Sequence, residues 1–497
     1  MNQDMTHQTN HLGSYKTKGV VSGTILLVLL SAHLRAQTVP ANGWPGMRPT
    51  QEIVVLSAPI GSGAGNFSIF DQAGDSLIVE EPIGNNPLFF TVDSTGSYAN
   101  TINGDGSSNY FPVKLPWSGT IGNNTMVQGS SISGIFSPGS MEYALDVANN
   151  AVDIGTASQG YSPGEFSFGT PISVAQTPVS MAGLPYNSSG LQRFIVVSQN
   201  IPYGVTCNNN PSSVTTVGEA DALEIATNTI SARIPVGACP VYALSSADGK
   251  RVFVLNRGSD SITVINVVSD SLDNCQPFLS ASGQTVECHP SIALAPASGL
   301  AHAGPVYAEY VASTGQLVVA NYDGNSVSII DVSLDMYGND SPTFGTGYTV
   351  PVGGHPSGLT VFPDGTRAYV VNQQDSSISI VDLRSHVVVK TFATIGMPRS
   401  VTSTADSSTN SISTKVYVAS PNSSNLEIIY NSVEGDSATE SNYVSGSILD
   451  VRVSGQVGSV TGNMNYMSRV PGAGQPCNLP DFSTGTATSI AACQGLQ

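Results

Sequence analysis

Six residues stand immediately before a proline that opens an apolar or β-rich run: Asn86, Thr177, Cys239, His289, His355 and Met397. A thiol, two imidazoles and a thioether are donor types that copper favours. If the six positions are equivalent points of a repeating fold, they lie around one end of it and form a ring of binding candidates. The plainer expectation is that they are loop residues, hydrogen-bonded or solvated, with no cofactor. Asn- and Asp-rich turns such as Asn103-Gly-Asp105-Gly and Asn321-Tyr-Asp323-Gly-Asn325 offer oxygen ligands to calcium, yet they lack the D-x-D-x-D-G spacing with a distal Glu. Turn geometry by itself explains Asn, Asp and Gly there. No G-x-S-x-G elbow is present, and beyond residue 36 the histidines are His289, His302, His355 and His386. With so many serines and aspartates, a Ser-His-Asp set drawn from the sequence carries no information, so no catalytic residue is assigned.

The prolines belong to a repeat. Its clearest copies are Phe253-Val-Leu-Asn256 followed by Ser261-Ile-Thr-Val-Ile-Asn266, Leu317-Val-Val-Ala-Asn321 followed by Ser326-Val-Ser-Ile-Ile-Asp331, and Tyr369-Val-Val-Asn372 followed by Ser377-Ile-Ser-Ile-Val-Asp382. Alternating Val/Ile stretches are strands, and Asp248-Gly249 and Asp364-Gly365 are tight turns in which glycine supplies positive φ. Boundaries carry G-x-x-P, as in Gly84-Asn-Asn-Pro87, Gly237-Ala-Cys-Pro240 and Gly353-Gly-His-Pro356, with Glu287-Cys-His-Pro290, Ala175-Gln-Thr-Pro178 and Gly396-Met-Pro398 as variants. Pro356 to Pro398 is 42 residues, Pro240 to Pro290 is 50 and Pro290 to Pro356 is 66. The shortest period is that of a four-stranded propeller blade, ~40 to 45 residues.

Six fairly complete units flanked by two partial ones, from Glu52 to Val453, predict an all-β, closed β-propeller of four-stranded blades. Seven blades are the first expectation and eight the alternative. A ring whose last blade takes strands from both ends leaves no exposed terminal sheet edge.

Only 10% of the 497 residues are Asp, Glu, Lys or Arg, and the net charge is −18, which argues against nucleic acid and anionic membrane as partners. Residues 1–36 read as a signal peptide: Lys16 and Lys18, an apolar stretch from Val20 to Leu30, then small residues up to Ala36. A Pro/Gly-rich lead (37–51) precedes the propeller (52–453), and a polar tail (454–497) follows it. Nothing after the leader reads as transmembrane. Six cysteines fit an exported protein in an oxidising compartment. The expected local pairs are Cys207 with Cys239, Cys275 with Cys288, and Cys477 with Cys493, although six cysteines allow ~15 pairings.

Tyr369-Val-Val-Asn372, Ser326-Val-Ser-Ile-Ile-Asp331, Ala226-Thr-Asn-Thr-Ile-Ser-Ala-Arg-Ile-Pro-Val-Gly237 and Phe362-Pro-Asp-Gly365 together resemble the YVTN-type β-propeller repeat. The likeness is specific over residues 221–430 and fainter over 52–220. It implies an extracytoplasmic propeller (periplasm, cell surface or secreted), related in fold to surface-layer-like, lactonase-type and quinoprotein-like proteins. It implies no single activity.

The expected function is a binding or interaction scaffold at the cell envelope with a protein or glycan partner. Its channel-mouth candidates are Asn86, Cys239, His289, His355 and Met397. The alternative is a lactonase- or quinoprotein-dehydrogenase-like enzyme at the same mouth, around Asn86, His289 and His355. A passive surface-layer component is a third reading.

Overall fold

A computed structural model describes residues 52–462 apart from several loop stretches, the longest being 158–165, 185–192, 404–414 and 431–447. The leader, the lead segment and the last part of the tail, with Cys477 and Cys493, lie outside the described residues. So do Asn86 and Cys275.

Among the described residues the chain forms eight antiparallel blade sheets, each built on four main strands, and one separate two-stranded hairpin. The innermost strands are Gln456–Gly462 (blade 1), Pro87–Val92, Ile132–Phe136, Pro178–Gly183, Pro240–Ser245, Pro305–Val311, Pro356–Val361 and Ser400–Ser403 (blade 8). Each packs against the next, and blade 8 packs against blade 1, so the ring is closed. Eight is the larger of the two expected counts. The additional blade comes from residues 87–173, which make two complete blades although their repeat is degenerate.

Blade 7 shows how the repeat folds. Pro356–Val361 runs along the channel, Arg367–Asn372 pairs with it, Ser377–Asp382 follows, and Val387–Ala393 forms the outer edge. The first three strands are buried along their whole length, whereas the outer strand alternates exposed and half-buried residues. Both faces of an inner strand meet apolar neighbours because each sheet is sandwiched between two others. The hydrophobic clusters accordingly straddle adjacent blades: Phe253 and Leu317 join blades 5 and 6, Val318 and Val370 join blades 6 and 7, and Val55 and Tyr417 seal blade 8 to blade 1.

The two sequence motifs form one device. The repeat's asparagine is buried and donates to hydroxyls on the third strand: Asn256 to Thr263 (2.9 Å), Asn321 to Ser328 (2.8 Å) and Asn372 to Ser379 (2.9 Å). Against these asparagines lie boundary glycines. A Cβ at Gly237 would stand 2.6 Å from Asn256 Cγ, and one at Gly353 would stand 2.6 Å from Asn372 Cγ. In blade 4 the asparagine is replaced by the shorter Ser198, and there the boundary residue is Ala175. The first boundary residue also donates its N–H to the third strand of the blade it leads into: Gly84 to Asn109 (2.8 Å), Ala175 to Asp221 (3.2 Å), Gly237 to Thr263 (3.3 Å) and Ile395 to Glu427 (2.8 Å).

Two sequence boundaries move. Pro290 does not open a blade, because the inner strand of blade 6 begins at Pro305, after the connection His302-Ala-Gly304. Residues 273–304 form an insertion of blade 5, with a short hairpin (Phe278–Leu279 with Thr285–Val286) and a strand (Ser291–Ala293) added to the third strand. The propeller also continues past Val453: Gln456–Gly462, assigned by sequence to the tail, pairs with Glu52–Ala58 as the closing strand.

Candidate functional site at the channel end of blades 5 to 7

Each inner strand starts at the end of the ring where the turns between second and third strands also lie. The residue before the boundary proline is a rigid clip there. Thr177, Cys239, Gly304 and His355 all have positive φ, between 47° and 59°. Their carbonyls accept the N–H of the residue after the second strand: Gln199, Arg257, Tyr322 and Gln373 respectively. On the other side, N–H groups of Thr177, Gly304 and His355 donate to Asn150, Asp260 and Asn325 of the preceding blade. Backbone bonds thus fix these positions from both neighbouring blades, and the side chain is what remains to vary.

Across blades 5 to 7 the variable side chains form a connected cluster. Arg257 is 3% exposed and donates through Nε and Nη2 to the two carboxylate oxygens of Asp323, both at 2.8 Å. Its guanidinium lies over the Tyr322 ring, 5.2 Å from the centroid. Tyr322 also stacks with His355, with centroids 4.4 Å apart and planes 15° from parallel. Burial, reinforced by the positive charge of Arg257, lowers the His355 pKa, while Asp323 and Asp375 oppose the shift. The imidazole is therefore neutral at neutral pH. Its main-chain N–H is held by Asn325, yet neither ring nitrogen bonds a described residue.

Beside this column, His302 Nδ1 meets Asp260 Oδ2 at 2.8 Å, and Asp260 Oδ1 accepts the N–H of Gly304 at 2.7 Å. His302 is 48% exposed, so the imidazole is accessible to solvent. Gly304 replaces the side chain of the other clips for a reason: a Cβ there would fall 1.9 Å from Asp323 Oδ2, on top of a strained φ.

The sequence candidates separate. His355 belongs to the cluster. Met397 occupies the matching, half-buried position before blade 8, where the following Pro398 accepts a hydrogen bond from Ser357 at 3.4 Å. Cys239 keeps its place at the channel end but is oxidised, joined to Cys207 with Cα atoms 5.4 Å apart. That bond ties the long loop of blade 4 to the connection into blade 5. His289 is displaced to the outer edge, because Pro290 is not a boundary. The Cys/His/His/Met set is thus not assembled. Among the described residues no three of His, Cys, Asp and Glu are placed to hold a metal ion. The oxygens of Asp323 and Asn325, considered above for calcium, are engaged by Arg257 and by the His355 N–H.

Arg257 and Tyr322 were not singled out from the sequence as binding residues, Asp323 was considered only as an oxygen ligand for calcium, and Asp260 and His302 were given no role. The usable signal was the residue directly after each repeat asparagine, which changes from Arg257 to Tyr322 to Gln373 while the flanking strands repeat. That position sits in a phrase dominated by strand formers, so its variation was read as turn chemistry.

No family model matches the sequence, and no curated protein matches it. Solved structures do resemble the fold. Citrobacter koseri AztD is similar with a TM-score of 0.52 at 11% identity, over 83% of this chain and 97% of that one. The dihydro-heme d1 dehydrogenase NirN is similar with a TM-score of 0.54 at 13% identity, over 87% of this chain and 80% of that one. At such identities the likeness establishes a β-propeller and nothing about activity.

Proposed function

We propose that the chain is an exported β-propeller acting as a binding and interaction scaffold at the cell envelope, taking a protein or glycan ligand at the channel end of blades 5 to 7. The observation that carries this reading is His355: neutral, half-buried, stacked on Tyr322, with both ring nitrogens unclaimed by described residues. Such a group offers one donor and one acceptor to hydroxyl- or amide-bearing ligands. The clip geometry around it is pre-organised, which lowers the ordering cost of binding. Export draws support from the Cys207–Cys239 bond and from Cys288, which is also disulfide-bonded. Among the described residues no helix is long and apolar enough to cross a membrane.

One observation favours the alternative, an extracytoplasmic lactonase- or dehydrogenase-like enzyme. The His302–Asp260 pair holds a solvent-accessible imidazole with one nitrogen fixed by a carboxylate, an arrangement a general base uses. Glycan and peptide arrays probed with the purified protein separate the two readings. The scaffold reading expects a captured ligand whose affinity drops ~10-fold or more in His355→Ala, as loss of a central contact does. An array without any bound ligand overturns it, and turnover of a lactone or amine that His302→Asn abolishes installs the enzyme in its place.

A further inference from the structure

Blades 5 and 7 join their channel-end turn to their boundary connection by the same pair of backbone bonds, but with side chains of opposite size. In blade 5 the Ala238 N–H donates to Ser259 Oγ at 3.2 Å, and the Gly258 N–H donates to the Ala238 carbonyl at 3.0 Å. In blade 7 the Gly354 N–H donates to Asp375 Oδ2 at 2.6 Å, and the Gln374 N–H donates to the Gly354 carbonyl at 3.1 Å. Alanine has become glycine on the connection. On the turn, glycine has become glutamine and serine has become aspartate.

That exchange gathers acceptors beside His355. A Cβ at Gly354 would stand 2.6 Å from Gln374 Oε1 and 2.9 Å from Asp375 Oδ1, so only glycine lets the two oxygens converge over the backbone there. Both side chains are exposed, and neither has a partner that completes it: the Gln374 side chain bonds no described residue, and the Asp375 carboxylate pairs with no described cation. A serine makes the equivalent backbone bond in blade 5, so the fold does not require a charge at position 375.

The cations of the neighbouring cluster are already committed. Arg257 gives Nε and Nη2 to Asp323, and His302 meets Asp260. Asp375 is left as an accessible carboxylate, close enough to act on the His355 imidazole, in a chain of net charge −18. Two converging acceptors need donors from a ligand, and the negative field favours a cationic one.

Building on the assignment of the ligand to His355, we propose that Gln374 Oε1 and Asp375 Oδ1 form a subsite for a primary ammonium group, the lysine side chain of a protein partner. Asp375 Oδ2 is occupied by the Gly354 N–H, and the one remaining carboxylate oxygen cannot accept the parallel two-bond fork of a guanidinium. A lysine ammonium is instead a compact charge with three donors on a slender stem, which suits separate acceptors beside an imidazole.

Fluorescence anisotropy of dye-labelled, end-capped pentalysine added to the intact protein at low salt tests this. Pentalysine is expected to bind, and the same peptide acetylated on every Nε is expected not to. Asp375→Asn keeps an acceptor for the Gly354 N–H and should weaken binding about three- to tenfold. Asp248→Asn, in the turn at the opposite end of blade 5, should change it by less than about twofold. Equal losses in the two variants would mean general attraction to an acidic protein and overturn the proposal, as does undiminished binding of the acetylated peptide. A chitosan pentamer that binds more tightly than pentalysine overturns the lysine assignment. Should Asp375→Asn not fold, Gln374→Ala removes an exposed side chain without described partners, and an unchanged affinity there overturns the proposal. A ligand lost in His355→Ala but indifferent to Asp375→Asn leaves the scaffold in place and removes the ammonium subsite, whereas arrays without any bound ligand strike the His355 reading itself.

Discussion

At Gly237 even a methyl group has no room. Its Cβ would stand 2.3 Å from Ser259 Oγ and 2.6 Å from Asn256 Cγ, and the backbone there is not left-handed, so space alone demands glycine. Gly237→Ala should cost about 1 to 3 kcal/mol in chemical denaturation, the usual range for overpacking. Adding Asn256→Ser should recover part of that loss, because blade 4 already combines Ala175 with Ser198. A double variant no more stable than the single one would separate the two positions. Both halves of this device were legible in the sequence as motifs. Their contact was not, since residues ~20 apart are joined only by the register of the first hairpin.

Buried carboxylates at equivalent third-strand positions carry a second prediction. Burial, with Asp146 nearby, raises Asp153 to about 7, and burial raises Asp221 to about 7. A folded-state pKa above the unfolded one means that the native protein holds the extra protons. Their contribution is fully present below the ordinary carboxylate range and is lost as pH rises toward about 7. These two groups should therefore make the protein less stable at pH 8 than at pH 5, and Asp153→Asn should flatten that decline by an amount on the order of 1 to 3 kcal/mol. Denaturation midpoints at the two pH values check it.

Among elements, the loop of blade 4 depends most visibly on a covalent tie. Thr206–Asn209 forms a short helix, α1, whose Cys207 reaches Cys239 across 32 residues of chain. A cross-link of that span stabilises by about 3 to 4 kcal/mol in the chain-entropy model. Cys207→Ser should lower stability by up to that amount and increase proteolysis within 199–216, leaving blades 6 and 7 protected. Unchanged proteolysis in that loop would mean its packing suffices without the bond. This pairing was readable from cysteine spacing, whereas the next boundary was not. Glu287-Cys-His-Pro290 has the outline of a boundary, yet its proline precedes a strand added to the edge of blade 5. The true periods are 65 residues from Pro240 to Pro305 and 51 from Pro305 to Pro356, so the larger insertion belongs to blade 5. Motif shape without the following strand pattern misplaced His289 by the width of a blade.

For the whole ring, closure decides whether the blades form one cooperative unit. Glu52–Ala58, Ala64–Asp71 and Ser76–Asn85 make three strands of blade 1, and the innermost strand arrives from the far end of the chain as Gln456–Gly462. Sequence reading foresaw a blade shared between the two ends, since an open ring leaves sheet edges unpaired. It stopped at Val453 because Gln456-Val-Gly-Ser-Val-Thr-Gly462 alternates weakly and lacks both the proline and the asparagine that mark other copies. Strand pairing with Glu52–Ala58, across almost the entire described chain, is what identifies it. Two truncations distinguish these boundaries. A chain ending at residue 462 keeps the closing strand and should unfold in one transition close to that of the full chain. A chain ending at residue 453 leaves Glu52–Ala58 with a free edge and removes the strand that packs against blades 8 and 2. It should lose several kcal/mol, aggregate through the exposed edge, or unfold in more than one step. Equal midpoints for the two truncations would show that the ring holds together without its closing strand.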